Sequence, residues 1–284
     1  MWMLPVSLMS GLAYTCLINR YSKLYGSSYL LLSLYNFMVY GLCLVMALIM
    51  CIGVPLSGFT CLMGILFGLA TALGTVFKLR ALSKGPLHLT NLITTASTIL
   101  PAISGALFFG EAFSIWKLLL VFLLMLFIWI SLKKRETVEF GRGWFLDCVI
   151  SFFAIGSIGL LQKIHQNSNY LDEGNWFVAI GFAVTVLYSL LPLRHREKTP
   201  SKRFPRKEII LALVAGVTIY IPNVFNLRLS GLMPSQIFFP VINGGNIILT
   251  SVAALVLFRE RVTLRQAVGL IGGIVSLILI CIVS

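Results

Sequence analysis

The chain has 284 residues, of which 58% are hydrophobic and 11% charged, and a mean hydropathy of +0.97. That is too apolar for a water-soluble globule of ordinary composition. A formal charge of +13 in a soluble protein points to nucleic acid. Here Lys and Arg fall in short breaks between apolar runs and read instead as topology signals and contacts to anionic lipid, so the bilayer, and not nucleic acid, is the expected partner.

Apolar stretches of membrane-crossing length, about 17–25 residues, fall at residues 2–19, 29–51, 58–79, 87–109, 115–132, 143–163, 175–193, 208–228, 234–257 and 264–282. The expected fold is an all-α integral membrane protein with ten transmembrane helices. The N-terminus lacks the positive n-region of a signal peptide and reads as a retained first span. Only Arg194–Lys207 makes a substantial loop, so no soluble domain is expected. The six cysteines are scattered through apolar segments without metal-ligand or disulfide spacing. Cys51 and Cys61 flank one short loop and pair only if it faces an oxidising side.

The fourth apolar stretch and its surroundings recur. Pro86–Ser114 returns about 148 residues later as the segment from Pro234 to Thr263, and the run-ups Phe77–Pro86 and Phe225–Pro234 match as well. The chain reads as two five-helix repeats, 1–135 and 136–284. Five is odd, so the copies cross the membrane in opposite senses, an inverted repeat that places a binding site near the midplane between the halves. Nineteen of the 22 Lys and Arg fall on one side of the predicted bundle, counting Lys78 with its loop. The positive-inside rule then puts both termini on the non-cytoplasmic side.

Polar side chains mark the two copies. His88, Asn91, Thr95 and Thr98 share one face of the fourth helix, and Gln236, Asn243, Asn246 and Thr250 share one face of the ninth. Under the offset Thr95 falls on Asn243 and Thr98 on Asn246. Such faces point into the bundle or a watery cavity, or they bond helix to helix. Both readings stand at this stage. Thr71, Thr75 and Lys78 form a second face, with Thr75 on Asn223 and Lys78 on Asn226. Tyr14 and Tyr220 supply aromatic walls, and Pro222 a kink. Lys78 sits near a helix end and is expected to snorkel, and Lys163 is expected at a membrane surface. Glu111 and Glu260 end the fourth and ninth helices and are assigned to structure, as are the kinks Pro101 and Pro240. No carboxylate lies near the centre of a predicted span, and no catalytic constellation, phosphate loop, cofactor motif or metal-ligand cluster is visible, so an enzyme is not expected. Gly64 with Gly68, and Gly269 with Gly273, suit close packing inside the bundle or a homodimer.

Two five-helix repeats, each with a Pro-initiated helix ending in Glu before a short turn, resemble the EamA-type ten-helix transporters of the drug/metabolite transporter superfamily. The residues that carry the resemblance are Ala81-Leu82, Pro101, Gly110-Glu111 and Ser114 in the first copy and Arg259-Glu260 with Gly269 in the second. The second copy has no proline matching Pro101; Pro240 comes earlier. The resemblance implies a permease of the bacterial-type plasma membrane, with helices 5 and 10 peripheral. It also implies cytoplasmic termini, against which the charge count is preferred here. The function expected is secondary transport of a small polar, neutral or zwitterionic metabolite by alternating access. Its site is expected to be lined by Asn91, Thr95, Thr98, Asn243 and Asn246, with Tyr14, Thr75, Tyr220 and Asn223 as walls. The alternatives are efflux of hydrophobic or cationic drugs and, from another class, a non-transporting membrane scaffold or lipid-handling protein.

Overall fold

A computed structural model describes residues 2–25, 29–84, 90, 93–94, 96–112, 114–131, 142–190, 206–258 and 264–282. Among these the chain is all-helical. The helices are α1 (Met3–Tyr25), α2 (Tyr29–Met50), α3 (Gly58–Lys84), α4 (Ile99–Phe108), α5 (Ile115–Ser131), α6 (Arg142–Gln166), α7 (Gly174–Leu190), α8 (Arg206–Leu232), α9 (Ser235–Phe258) and α10 (Leu264–Ile282), with a 3-10 turn at Leu171–Glu173 ahead of α7. Five helical segments are long and apolar enough to cross a membrane, and four shorter ones are apolar. Trp116, Leu119 and Phe122 on α5 and Ile271 and Ile278 on α10 remain exposed, a distribution compatible with hydrocarbon rather than water as the surrounding solvent.

Several helices outrun their apolar cores, because polar residues past the hydrocarbon still satisfy their backbone groups by continuing the helix. Thus α1 reaches Tyr25 and α3 reaches Lys84. The fourth helix departs from expectation in the other direction. Thr90, Ile93, Thr94 and Ala96 are helical, Ser97 and Thr98 form a turn, and the helix resumes at Ile99. Pro101 has no N–H to give the Ser97 carbonyl, which accepts instead from Leu100 N at 3.1 Å.

The chain forms two compact units, one of residues 1–72 and 168–228, the other of 73–167 and 229–284. Each draws on both sequence repeats. In the first unit, Tyr35 and Val39 of α2 bury against Ala212 and Ala215 of α8, with Tyr14, Leu17 and Ile18 of α1 packed on them. The Cys43 thiol donates to Gly216 O at 3.2 Å, which records how closely α2 and α8 approach. Gly64 and Gly68 of α3 lie against Ile180 and Val184 of α7.

Glu173, which ends the 3-10 turn, and Asn175 and Trp176 of α7 staple the turn between α2 and α3. Glu173 Oε2 accepts from Ser57 N at 3.0 Å and from Ser57 Oγ at 2.6 Å. Asn175 Nδ2 donates to Met50 O and Trp176 Nε1 to Val54 O. Cys51 and Cys61, on either side of this turn, are free thiols.

In the second unit, α5 supplies Val121, Leu124, Met125 and Ile128 to a core completed by Ile248 of α9 and Ile280 of α10. The start of α6 meets the end of α3 through Ala81, Trp144 and Cys148. Further along, α6 passes the broken turn before α4 at a glycine, Gly156, where a Cβ would stand 2.4 Å from Leu100 Cδ1 and 2.8 Å from Ser97 O.

Candidate functional site

A polar face runs along the described part of the segment that leads into α4. Thr90, Thr94 and Ser97 recur at helical spacing and are all buried. Trp144 Nε1 of α6 donates to Thr90 Oγ1 at 2.9 Å, and Ser97 Oγ to Thr94 O at 2.6 Å. Helix-to-helix bonding is therefore provided by this face, which the sequence reading passed over because Asn and His in the neighbouring stripe are the more conspicuous polar types. Of the predicted stripe, Asn91 and Thr95 lie outside the described residues. Thr98 is buried at the N-cap position of α4, with no side-chain capping bond.

The matching face of α9 is only partly paired among the described residues. Asn243 is exposed. Asn246 Oδ1 and Gln236 Nε2 are buried with no hydrogen-bond partner among the described residues, although Gln236 Oε1 accepts from Ser114 N at 3.2 Å. Thr98, Pro240 and Gly244 help line a void of about 10 Å³, room for about one water. Pro240 sits buried inside α9 and Pro101 buried inside α4. Thr75, on the exposed side of α3, completes the predicted residues of this unit.

The first unit holds the remainder. Tyr14 faces Tyr40, whose ring lies 6.0 Å from Phe182, and Phe182 in turn lies 6.3 Å from Tyr220. An aromatic chain thus links α1, α2, α7 and α8. Asn223 is turned back on its own helix, Nδ2 to Ile219 O at 2.8 Å. One turn later Asn226 Oδ1 accepts from Ser7 Oγ at 2.6 Å.

The densest polar cluster of the second unit surrounds Glu111. Gly110 ends α4 at φ +64, the left-handed cap that glycine adopts without strain. Glu111 N then bonds Gly105 O at 3.1 Å, and its carboxylate packs over Gly105, where a Cβ would overlap Oε2. From there Oε2 accepts from Ser235 N at 2.7 Å and Oε1 from Ser235 Oγ at 3.2 Å. The carboxylate so caps the N-terminus of α9, where backbone donors and the helix dipole favour negative charge. Lys163 Nζ completes the cluster, 2.5 Å from Glu111 Oε1 and 3.2 Å from Met233 O. The Lys163 side chain is 3% exposed. The Glu111 carboxylate and the Met233 carbonyl hold it inside the protein, not extended into solvent. Glu260 lies outside the described residues.

Among the described residues no group of three or more His, Cys, Asp or Glu is placed to hold a metal ion. No protein-family model matches the sequence, and no curated protein matches it. Among solved structures 28 chains match. One crystal structure of a protein is similar with a TM-score of 0.74 at 13% identity, covering 99% of this chain and 95% of that one; the likeness is one of fold alone.

Proposed function

We propose that the protein is a secondary transporter of the EamA type, with ten membrane spans in two inverted repeats, which carries a small polar metabolite across the cytoplasmic membrane by alternating access. Its termini are assigned to the non-cytoplasmic side by the placement of Lys and Arg. The observation that carries the reading is the state of the α9 stripe: Asn243 exposed, and Asn246 Oδ1 buried without a partner among the described residues. A buried polar atom left unpaired costs about 1–3 kcal/mol. Were the stripe only glue between helices, its groups would be paired, as Thr90 is with Trp144. A face kept polar at a cost to the empty protein suits a group that a solute satisfies in passing.

The test sets flux against stability. Asn246→Leu removes the orphaned carbonyl and is expected to raise the thermal stability of the purified protein by the equivalent of about 1 kcal/mol. In proteoliposomes loaded with a defined mixture of amino acids, polyols and nucleosides, the same variant is expected to abolish solute movement seen with the wild type. Asn243→Leu should do the same to flux. A fall in stability with unchanged flux would favour the scaffold reading instead.

A further inference from the structure

The two described acids of the second unit are both engaged, Glu111 with Lys163 and Asp147 with Arg80 at 3.7 Å. Lys78 is left over. It closes the 21-residue apolar window of α3, is only partly exposed, and makes no hydrogen bond or ion pair among the described residues. One turn before it α6 packs on α3 at Gly74, where Ile155 Cγ1 would stand 2.9 Å from an added Cβ.

The repeat shows what is missing. Asn226, the counterpart of Lys78, is satisfied by Ser7 of α1, whereas the counterpart of Ser7 under the same offset is Ile155, which has no polar atom to offer. The helix continues six residues beyond Lys78 to Lys84, about 9 Å at 1.5 Å per residue, and it is Arg80, with a side chain 53% exposed, that faces out. An ammonium beside apolar side chains, with no counter-ion among the described residues, is costly for the empty protein and is relieved by an anion.

We propose that Lys78 is the counter-ion for a carboxylate on the transported solute, so that the substrate class is small carboxylates, zwitterionic amino acids included. This rests on the transport reading above and narrows it. Lysine acts there as a point charge, which arginine replaces and methionine does not.

The experiment compares wild type, Lys78→Met and Lys78→Arg in proteoliposomes of phosphatidylcholine, and again with phosphatidylglycerol added. Matched probes are offered: alanine and alaninamide, leucine and leucinamide, glutamate and glutamine, with ribitol as a neutral control. The expected result is movement of at least one carboxylate probe by the wild type, weaker by roughly 10- to 100-fold for its amide. Lys78→Met should lose the carboxylate flux by a similar factor, while Lys78→Arg keeps it. Lys78→Met should also melt higher than wild type without solute.

Amides carried as well as acids, or carboxylate flux unchanged in Lys78→Met, overturns the carboxylate assignment and leaves the transport reading standing. An effect of Lys78→Met confined to phosphatidylglycerol vesicles makes a lipid headgroup the partner and overturns it too. If no probe moves under any condition, both fall.

Discussion

Glu111 and Lys163 stand 2.5 Å apart, with the lysine almost wholly withdrawn from solvent, so each charge depends on the other. Removing one leaves its partner uncompensated, which in a buried pair costs about 3 kcal/mol. Lys163→Met is therefore expected to lower the melting temperature in detergent, and Glu111→Gln to do likewise. The double variant Glu111→Met/Lys163→Met should lose less than the sum of the two single changes, because it leaves no orphaned charge. Single-variant losses below about 0.5 kcal/mol would instead mark the pair as a surface-type contact of little consequence. The structural role of Glu111 was legible at its helix end, but the partners of neither charge could be read locally. Ser235 lies 124 residues from Glu111, and a lysine near the end of an apolar run carries the same local signature whether it turns outward or inward.

Helices are the level at which the sequence speaks most plainly here, since each of α1 to α10 overlaps one apolar run of about membrane length. What the runs conceal is where a helix yields. The turn at Ser97–Thr98 follows from Pro101, yet Pro240 leaves α9 helical throughout, because a proline's effect depends on what can satisfy the carbonyl it frees. Close packing is equally silent in a composition. Gly156 and Gly41 look alike in sequence, but Gly41 has nothing within 4 Å of an added Cβ and Gly156 has Leu100 and Ser97 O. Gly156→Ala is expected to destabilise by about 1–3 kcal/mol through overpacking. Gly41→Ala, inside α2, should be neutral or stabilise by up to about 1 kcal/mol through helix propensity. Thermal unfolding of the two variants side by side checks the pair, and equal shifts would contradict it.

At the scale of the molecule, the compact units and the sequence repeats divide the chain differently. Unit one joins α1, α2 and the first part of α3 to α7 and most of α8, and unit two joins α4 to α6 with α9 and α10. The contacts of α2 with α7 and of α5 with α10 both run from one repeat to the other. The fragments 1–135 and 136–284 therefore each lack part of every core described above. Expressed singly, each is expected to be degraded or to remain protease-sensitive in membranes. Expressed together, they should recover a stable, co-purifying protein, and a fragment stable on its own would argue against this. Repetition was legible in the sequence because it repeats residues, whereas the partition in space was not, because it depends on which faces meet.

Glu173 reaches across 116 positions to take the backbone N–H of Ser57, and that separation is also an interval of time. At about 5–20 residues per second, roughly ten seconds of synthesis pass between the emergence of Ser57 and that of Glu173. Throughout that interval the head of α3 awaits its carboxylate, and the turn before it awaits Asn175 and Trp176. The turn between α2 and α3 is thus made unfastened, and residues 173–176 supply the fastening as they follow.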